Sequence, residues 1–294
     1  MEAGRGWAIE TEALSFLYPE GTRALQDVDF RVRRGEFVAV LASNGSGKTT
    51  LIKVLSGLLR PGTGTVRIAG RDIRGFPSRD LYQEVGVVFQ DPNDQLFGAT
   101  VEEDVAFGPR NLGLPEPEVG RRVAAALESV VAGDLLSRAV HHLSFGEKKR
   151  VAVAGVLAME PSILILDEAT AGLDPAGETL MMRLLSRLNR ERGITVILAT
   201  HSVDLLPLFA DRIYVFRGGR VLKDGPPEAI FCEHEMIERA SLRLPYISGL
   251  LHDLKRYDGV PIEGLPLTVG EARKRLLDLI PEALIVGNRE GGGK

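Results

Sequence analysis

A short segment between a candidate strand and a candidate helix has the residue types that bind phosphate. Residues 42–50 read Ala-Ser-Asn-Gly-Ser-Gly-Lys-Thr-Thr and follow an apolar run. Gly45 and Gly47 let the backbone curl so that several N–H groups converge on one anion. A helix predicted to begin near Thr49 adds its N-terminal dipole. Lys48 supplies a mobile positive charge for β- and γ-phosphates, and the Thr49 hydroxyl is a ligand for Mg²⁺.

A second segment predicts the metal ligand and the base that nucleotide hydrolysis requires. Residues 162–168 form a near-continuous apolar run that ends in Asp167 and Glu168. A run that is apolar on both faces is typical of an interior parallel strand, and ligands bind at the carboxyl ends of such strands. Asp167 is therefore placed to hold Mg²⁺, directly or through water. Glu168, one residue further out, is placed to polarise an attacking water.

Composition limits the class of protein. The chain has 294 residues, 44% of them hydrophobic, with a net charge of −4. This charge argues against nucleic acid as the main partner, since a basic surface is expected there. The single cysteine, Cys232, excludes an intrachain disulfide and suits a reducing cytoplasm. No apolar run of membrane length and no apolar signal core are visible, so we expect a protein that is soluble by itself and able to dock on a membrane partner.

Hydrophobic periodicity and turn residues divide the chain into sheet and helical regions. Residues 91–159 are predicted to be a mostly helical subdomain between two strands, and 226–285 a helical tail. The final Gly-Gly-Gly-Lys suggests disorder over 286–294. The phosphate-loop helix is predicted to end near Leu59, before Pro61. Strands are predicted at 9–16, 24–32, 65–68, 85–89, 163–166, 195–199 and 213–216, with a hairpin turn at 217–220.

A second candidate anion site lies between the two nucleotide motifs. Residues 143–150 read Leu-Ser-Phe-Gly-Glu-Lys-Lys-Arg, and Ser144 and Gly146 precede a helix predicted over 151–159. A hydroxyl and a glycine at a helix N-terminus can bind an anion, although an ordinary N-cap has the same pattern. One ATP does not need two such loops from one subunit. The pattern therefore favours a head-to-tail dimer, in which each γ-phosphate lies between the Lys48 loop of one subunit and the Ser144 helix of the other.

In order and spacing, these motifs resemble those of ATP-binding-cassette (ABC) ATPases over about residues 8–225. The three segments already described match the family's Walker A, Walker B and LSGGQ signature motifs. Four further positions also match. Gln90 corresponds to the glutamine of the Q-loop, and Asp174 belongs to the D-loop sequence Gly-Leu-Asp. His201 corresponds to the switch histidine, and Tyr18 to the aromatic residue that stacks on adenine.

The resemblance implies the fold and the roles of individual residues. The fold is an α/β P-loop NTPase with a RecA-like core, an antiparallel β subdomain, an inserted helical subdomain and a C-terminal helical extension. The implied activity is ATP hydrolysis. The implied catalytic residues are Lys48, Gln90, Glu168 and His201. The implied Mg²⁺ ligands are Thr49, Gln90 and Asp167. The implied contacts to ATP come from Tyr18, Asn44, Gly45, Ser46, Gly47, Lys48, Thr49, Thr50, Ser144, Gly146, Glu147 and Asp174.

Four positions depart from the family pattern: Ala42 and Phe145 replace glycines, Glu147 replaces glutamine, and Ala169 replaces the proline after Walker B. If the backbone at Ala42 needs a positive φ, its strain costs about 1 kcal/mol. Ala169 removes a rigid turn residue. Ala42 and Ala169 therefore bear on the rate of hydrolysis rather than on ATP binding. They also raise the alternative of a non-catalytic nucleotide switch, although the presence of Lys48 and Glu168 argues against it.

Two segments resemble the ATPases of energy-coupling-factor transporters, including the cobalt/nickel type. Residues 91–97 match the run D-P-x-x-Q-L-F, and residues 143–150 match the cobalt/nickel version of the signature. A C-terminal helical extension is typical of this group, where it helps to pair two ATPases. Gln95, Leu96 and Phe97 lie where such ATPases hold the coupling helices of a transmembrane partner. Packing into the local core is the alternative for Leu96 and Phe97.

This resemblance implies a peripheral protein on the cytoplasmic face of the membrane. Its partners would be a second ATPase, identical or paralogous, a transmembrane coupling subunit and a membrane protein that captures the cargo. Cobalt or nickel ions are the expected cargo, and a vitamin is the alternative. A non-transport cassette for DNA repair or translation is a further alternative. It is disfavoured because the sequence shows no coiled-coil insertion, tandem cassette or strong basic patch.

Overall fold

The computed structural model describes residues 6–280, and its strands form two sheets. The strands are β1 (Trp7–Leu17), β2 (Arg23–Arg33), β3 (Phe37–Ala42), β4 (Thr63–Ile68), β5 (Arg71–Asp72), β6 (Val85–Val88), β7 (Ile163–Asp167), β8 (Thr195–Thr200), β9 (Arg212–Arg217) and β10 (Arg220–Gly225). The four-stranded sheet has the order β2-β1-β4-β5 and is antiparallel. The six-stranded sheet has the order β10-β9-β3-β8-β7-β6, and all its pairs are parallel except the β9–β10 hairpin.

The centre of the six-stranded sheet brings three strand ends to one edge. Strands β3, β7 and β8 are buried at every position, as strands covered on both faces must be. The register pairs Leu41 with Thr200 and Asp167 with Ala199. The segments that follow these strands therefore leave the sheet side by side, and they contain the phosphate loop, Glu168 and His201.

Alternate residues of β3 belong to two different apolar cores. One core holds Phe37, Ala39 and Leu41 and continues into the helical region between β6 and β7. The other core holds Val38, Val40 and Ala42 and continues into the four-stranded sheet. The central sheet is thus covered on both faces, which explains why its strands are apolar throughout.

The helices of the described residues are α1 (Lys48–Leu55), α2 (Ser78–Glu84), α3 (Val101–Asn111), α4 (Glu116–Ser129), α5 (Phe145–Leu157), α6 (Pro175–Arg192), α7 (Leu206–Phe209), α8 (Pro227–Phe231), α9 (His234–Arg239), α10 (Tyr246–Tyr257) and α11 (Val269–Leu279). Helices α3, α4 and α5 pack together between β6 and β7. None of the helices within residues 6–280 combines the length and apolar character needed to cross a bilayer.

Two predicted helix boundaries are wrong. Helix α1 ends at Leu55 rather than near Leu59, because Gly57 adopts a φ of +77° that an α-helix cannot continue. Helix α5 begins at Phe145 rather than at residue 151, because Ser144 caps it and Glu147 completes the capping box. Gly146 therefore lies inside the first turn of α5 and does not precede the helix.

The C-terminal segment that contains α8 to α11 is attached to the rest of the chain by buried apolar residues and by polar contacts to Asp204. Phe231 is fully buried in the larger core, together with Ile230. Asp204, in the loop after β8, accepts hydrogen bonds from Nη1 of Arg243 at 3.2 Å and from the backbone N–H of Tyr246 at 2.8 Å. The last part of the predicted helical tail and the predicted disorder at 286–294 lie outside the described residues.

We predict that replacing Phe231 by alanine lowers the free energy of unfolding by about 3–5 kcal/mol, because it leaves a cavity in the core. The matched control is Tyr257→Ala in α10, since the Tyr257 side chain is 72% exposed. Urea unfolding of the two variants measures the difference. Equal stability of both variants would contradict the anchoring of α8 in the core.

Candidate nucleotide-binding and hydrolysis site

The loop between β3 and α1 is held by the two segments that lie against it. Gly45 has a φ of +73° and Gly47 a φ of +104°, so both use backbone conformations that side chains disfavour. A Cβ atom on Gly47 would lie 2.4 Å from the carbonyl oxygen of Ala24. The backbone N–H of Gly219, in the β9–β10 turn, donates to the carbonyl oxygen of Ser46 at 2.8 Å. The curled backbone that presents N–H groups to an anion is therefore fixed from outside the loop.

The concern about strain at Ala42 is not supported. Ala42 is the last residue of β3, pairs with Phe216 of β9, and is absent from the described non-glycine residues with positive φ. Alanine is well suited to a fully buried strand position of this kind. The departure from glycine therefore carries no backbone penalty here.

Lys48 lies at the centre of the site with little exposure to solvent. Its Nζ donates to the carbonyl oxygens of Ala42 at 2.9 Å and Ser43 at 3.2 Å, and lies 3.3 Å from Oε1 of Glu168. The Lys48 side chain is only 6% exposed, so its charge is weakly screened by water. A phosphate bound in the loop would therefore have a weakly screened cation within reach.

Asp167 and Thr49 together fit a magnesium ion. The Thr49 hydroxyl donates to Oδ2 of Asp167 at 2.7 Å. The other carboxylate oxygen, Oδ1, is buried and has no hydrogen-bond partner, which is uncommon for a buried polar atom. Burial raises the pKa of Asp167, although the hydrogen bond from Thr49 opposes the shift. Carboxylate and hydroxyl oxygens are ligands that Mg²⁺ prefers, and a cation here would offset the cost of burying the carboxylate.

Glu168 has a left-handed backbone and is held by contacts on both its main chain and its side chain. Its φ is +52°, a conformation that costs about 1–3 kcal/mol for a non-glycine residue and often marks a functional site. Its N–H donates to the carbonyl oxygen of Ala199 at 2.9 Å. Oε2 of its carboxylate lies 2.7 Å from Nδ1 of His201, and Oε1 faces Lys48. The carboxylate is therefore oriented between an imidazole and an ammonium group.

A cavity of about 530 Å³ brings most of the predicted site residues together. The Tyr18 hydroxyl lies 3.1 Å from Oγ1 of Thr50, which places the aromatic ring at one end of the phosphate loop. Gln90, just after β6, reaches the cavity opposite this loop. The predicted residues that line it are Tyr18, Asn44, Gly45, Ser46, Gly47, Lys48, Thr49, Thr50, Gln90, Asp167 and Glu168. His201 joins this group through its contact with Glu168.

The signature residues lie in a different cavity of about 470 Å³, lined by Ser144, Gly146 and Glu147 but by none of the phosphate-loop residues. Glu147 Oε2 accepts from both the N–H and the hydroxyl of Ser144, at 2.7 and 2.8 Å. The hydrogen bond from the Ser144 backbone is the main reason why the pKa of Glu147 is lowered. Asp174 caps α6 by accepting from the Gly177 N–H at 2.7 Å, and it does not line the first cavity either. The signature residues and the phosphate-loop residues of one chain therefore line different cavities.

Sequence reasoning missed two contributions to the first site. Gly218 and Gly219 were assigned only to a hairpin turn, yet they line the nucleotide cavity. No local signal could reveal this, because the contact joins segments far apart in sequence. Lys149 was not identified either, although its Nζ donates to the carbonyl oxygen of Glu168 at 2.9 Å. A signal was present in the sequence, because Lys149 lies two residues before the apolar run that starts at Val151.

Comparisons with known proteins agree with this geometry. A family model described as ABC transporter matches residues 25–171. The energy-coupling factor transporter ATP-binding protein EcfA of Methanocaldococcus jannaschii is 46% identical over 94% of this chain and 99% of its own length. The structure of cbiO1 from Clostridium perfringens, described as part of the ABC transporter complex cbiONQ, has a TM-score of 0.73 and 44% identity. It covers 84% of this chain and 99% of cbiO1.

A further solved structure is a dimer of the ATP-binding cassette MJ0796 in a post-hydrolysis state bound to ADP and Pi. Its TM-score is 0.68 at 27% identity, and the match covers 74% of this chain and 98% of that one. The likeness supports the fold.

We predict that Gly47→Ala weakens binding of a fluorescent ATP analogue at least about 100-fold, because the new Cβ would collide with backbone atoms of Ala24 and shift the loop. Gly45→Ala is the matched comparison, since a Cβ there meets nothing within 4 Å. It should lose about tenfold or less, from the strain of positive φ alone. Equal losses in the two variants would contradict the role of the close contact with Ala24.

Proposed function

The chain belongs to the ABC transporter family and is an ATPase of the energy-coupling-factor type, and we propose that it energises the import of cobalt or nickel ions. The observation that carries the ATPase assignment is the arrangement at Glu168. Its carboxylate lies 3.3 Å from Nζ of Lys48 and 2.7 Å from Nδ1 of His201, directly after the strand that ends in Asp167. A base, a phosphate-binding cation and a metal-ligand pair therefore meet at one strand end.

Binding of ATP would begin at the phosphate loop. Backbone N–H groups of the loop and of the N-terminus of α1 would donate hydrogen bonds to the phosphates. Lys48 would turn from the carbonyls of Ala42 and Ser43 toward the β- and γ-phosphates. Thr49, Asp167 and Gln90 would hold Mg²⁺, which neutralises part of the phosphate charge when it is bound. Tyr18 would stack on the adenine. These residues orient the γ-phosphate toward Glu168.

Hydrolysis would depend on Glu168 as general base. Its carboxylate would accept the proton of the attacking water as the water oxygen forms its bond to the γ-phosphorus, while the bond from the γ-phosphorus to the β–γ bridging oxygen breaks and ADP leaves. His201 holds one carboxylate oxygen, so it would keep the base oriented and support charge near the γ-phosphate. Because Glu168 and Lys48 are almost buried, their charges act in a region of low dielectric constant, where they influence the reaction strongly.

The complete site requires a second subunit. Lys48 and Ser144 line different cavities of one chain, so a single chain cannot place both against one phosphate group. We propose a head-to-tail pair, of identical or paralogous chains, in which the N-terminus of α5 meets the nucleotide held by the other subunit. The dimeric cassette MJ0796 is a precedent for pairing in this family. Asp174 and the loop before it would lie at the same interface between the two subunits.

We propose that a groove of about 640 Å³, lined by Phe89 and Gln95 among others, is the docking surface for a membrane subunit. Its walls include Phe97 and Phe107, which are 66% and 48% exposed and whose ring centroids are 4.6 Å apart. Exposed aromatic grooves of this kind suit an apolar helix of a partner. Leu96 packs against the core, so its apolar side chain is explained by core packing. Phe97 is exposed and would be the residue that contacts a partner.

The same groove links partner docking to the nucleotide site. Gln95 accepts a hydrogen bond from the backbone N–H of Phe89 at 3.0 Å, and Phe89 directly precedes Gln90. A helix that presses on the segment over 91–97 would therefore act on the residue that faces the metal. We infer that ATP binding and hydrolysis move a transmembrane subunit through this connection, with the ATPase on the cytoplasmic face of the membrane.

The cobalt or nickel assignment rests on residues 91–97 and 143–150, which resemble the cobalt/nickel group. The similarity to cbiO1, a part of the complex cbiONQ, supports this choice. Vitamin import by the same type of transporter is the second candidate. The resemblance implies that a separate membrane protein captures the cargo, so the choice between these two cargoes depends on the two resembling segments alone.

We predict that Glu168→Gln lowers kcat for ATP hydrolysis about 10²–10⁴-fold, because the amide cannot accept the proton of the attacking water. ATP binding should persist, and size-exclusion chromatography in ATP and Mg²⁺ should show a stabilised dimer. The control is Glu191→Gln, an exposed carboxylate in α6. Turnover of Glu168→Gln at the rate of the control would contradict the proposed base.

We also predict that Phe97→Asp reduces ATP-driven uptake of radioactive Co²⁺ at least about tenfold in vesicles that contain the ATPase and its membrane subunits. A charge in the centre of an apolar docking groove should cost more than 1.4 kcal/mol of binding, which corresponds to that factor. Leu222→Asp is the control, because Leu222 is exposed on β10 and lies outside the groove. ATP-driven accumulation of a vitamin without Co²⁺ or Ni²⁺ would contradict the proposed cargo.

A further inference from the structure

Lys149 is a buried cation that none of the proposed catalytic steps uses. Its residue surface is only 2% exposed, and burial lowers the pKa of its ammonium group to about 8. Burying such a group is unfavourable unless a specific partner compensates for the lost hydration. The partner is the carbonyl oxygen of Glu168, which accepts a hydrogen bond from Nζ of Lys149 at 2.9 Å.

This hydrogen bond acts on the strained main chain of the proposed base. Glu168 has a φ of +52°, and such a backbone persists only where the surrounding structure holds it. Its N–H is bonded to the carbonyl oxygen of Ala199, and its own carbonyl oxygen receives Lys149 and the N–H of Ala171. The Glu168 side chain is attached to the Cα atom between this N–H and this carbonyl group. The direction of its carboxylate therefore depends on these main-chain hydrogen bonds.

Lys149 also belongs to the helix that starts at the signature residues. Helix α5 begins with the Ser144 cap, and Lys149 lies between one and two turns further along it. Nζ of Lys149 lies 5.3 Å from the centroid of the Phe145 ring. The Phe145 ring in turn packs on Gly172, where a Cβ would come within 2.9 Å of its Cε1. The first turn of α5 and the main chain after β7 are thus in continuous contact.

We infer that Lys149 is a positioning residue that holds the main chain of Glu168 and couples it to helix α5. The inference rests on the proposed dimeric ATPase. In that dimer the N-terminus of α5 closes on the nucleotide of the other subunit, while Glu168 serves the nucleotide of its own subunit. A shift of α5 on one nucleotide would reach the base at the second nucleotide through the Lys149 hydrogen bond. The hydrolysis steps of the two sites would therefore depend on each other.

The test compares Lys149→Met with Lys148→Met. Methionine fills a similar volume but cannot donate to the Glu168 carbonyl. Lys148 is the matched control, because it precedes Lys149 in α5 and its Nζ donates to Oδ1 of Asn93 at 2.8 Å, away from Glu168. For Lys149→Met we expect kcat to fall about 10- to 100-fold, as small displacements of catalytic groups do. The dissociation constant for ATP should stay within twofold, and the Hill coefficient of turnover should fall toward 1. Lys148→Met should match the wild type in all three quantities.

Two results would overturn the inference. A kcat of Lys149→Met within twofold of the wild type would show that the hydrogen bond does not position the base. Parallel losses of kcat, ATP affinity and Tm would show that Lys149 only supports the fold. Both results concern Lys149 and Glu168 within one subunit, so they do not depend on how two subunits pair.

A second measurement does not need turnover. Hydrogen exchange followed by mass spectrometry should show faster exchange over residues 167–173 in Lys149→Met, with residues 42–55 unchanged. Equal exchange over 167–173 in Lys149→Met and Lys148→Met would contradict the positioning role. If the wild type and Lys148→Met both failed to hydrolyse ATP, the proposed function would be wrong, and hydrogen exchange would still decide the role of Lys149.

Discussion

The parallel hydrogen-bond register of β3, β7 and β8 is the constraint on which the rest of the site depends. It pairs Leu41 with Thr200 and Asp167 with Ala199, so the segments that follow the three strands begin at the same level. Because all three strands are buried on both faces, a shift of one strand would disturb two apolar cores at once. The distances between Lys48, Glu168 and His201 are therefore set by the packing of the sheet.

A second constraint is the strong coupling of charges within the buried site. Lys48, Asp167 and Glu168 are each less than 7% exposed, so none of them can be balanced by water alone. Lys48 faces Glu168, Asp167 accepts from Thr49, and Lys149 reaches the main chain behind Glu168. A ligand that brings phosphate charge and a metal ion would change the contacts of all these charged side chains at the same time.

The sequence predicted the central features well because they are local. Gly45 to Thr49 form one continuous loop, and the apolar run before Asp167 shows a buried strand directly, so the fold class was correct. The features that were missed depend on contacts across the chain. Gly219 reaches the phosphate loop only because β9 pairs with β3. Lys149 reaches Glu168 only because α5 packs against β6, the strand that pairs with β7. The start of α5 was misplaced because the capping box of Ser144 and Glu147 was not recognised.

The separation of Lys48 from Ser144 within one chain has a genetic consequence. In a head-to-tail pair, a lesion at Ser144 harms the nucleotide site of the other subunit, whereas a lesion at Lys48 harms the site of its own. Each nucleotide site of the pair would combine Lys48 of one subunit with Ser144 of the other. In a mixed pair of one Lys48 variant and one Ser144 variant, both defects would fall in the same site, and the other site would be intact. If the chain forms the proposed head-to-tail pair, two alleles that are each inactive would therefore complement one another by restoring one intact site.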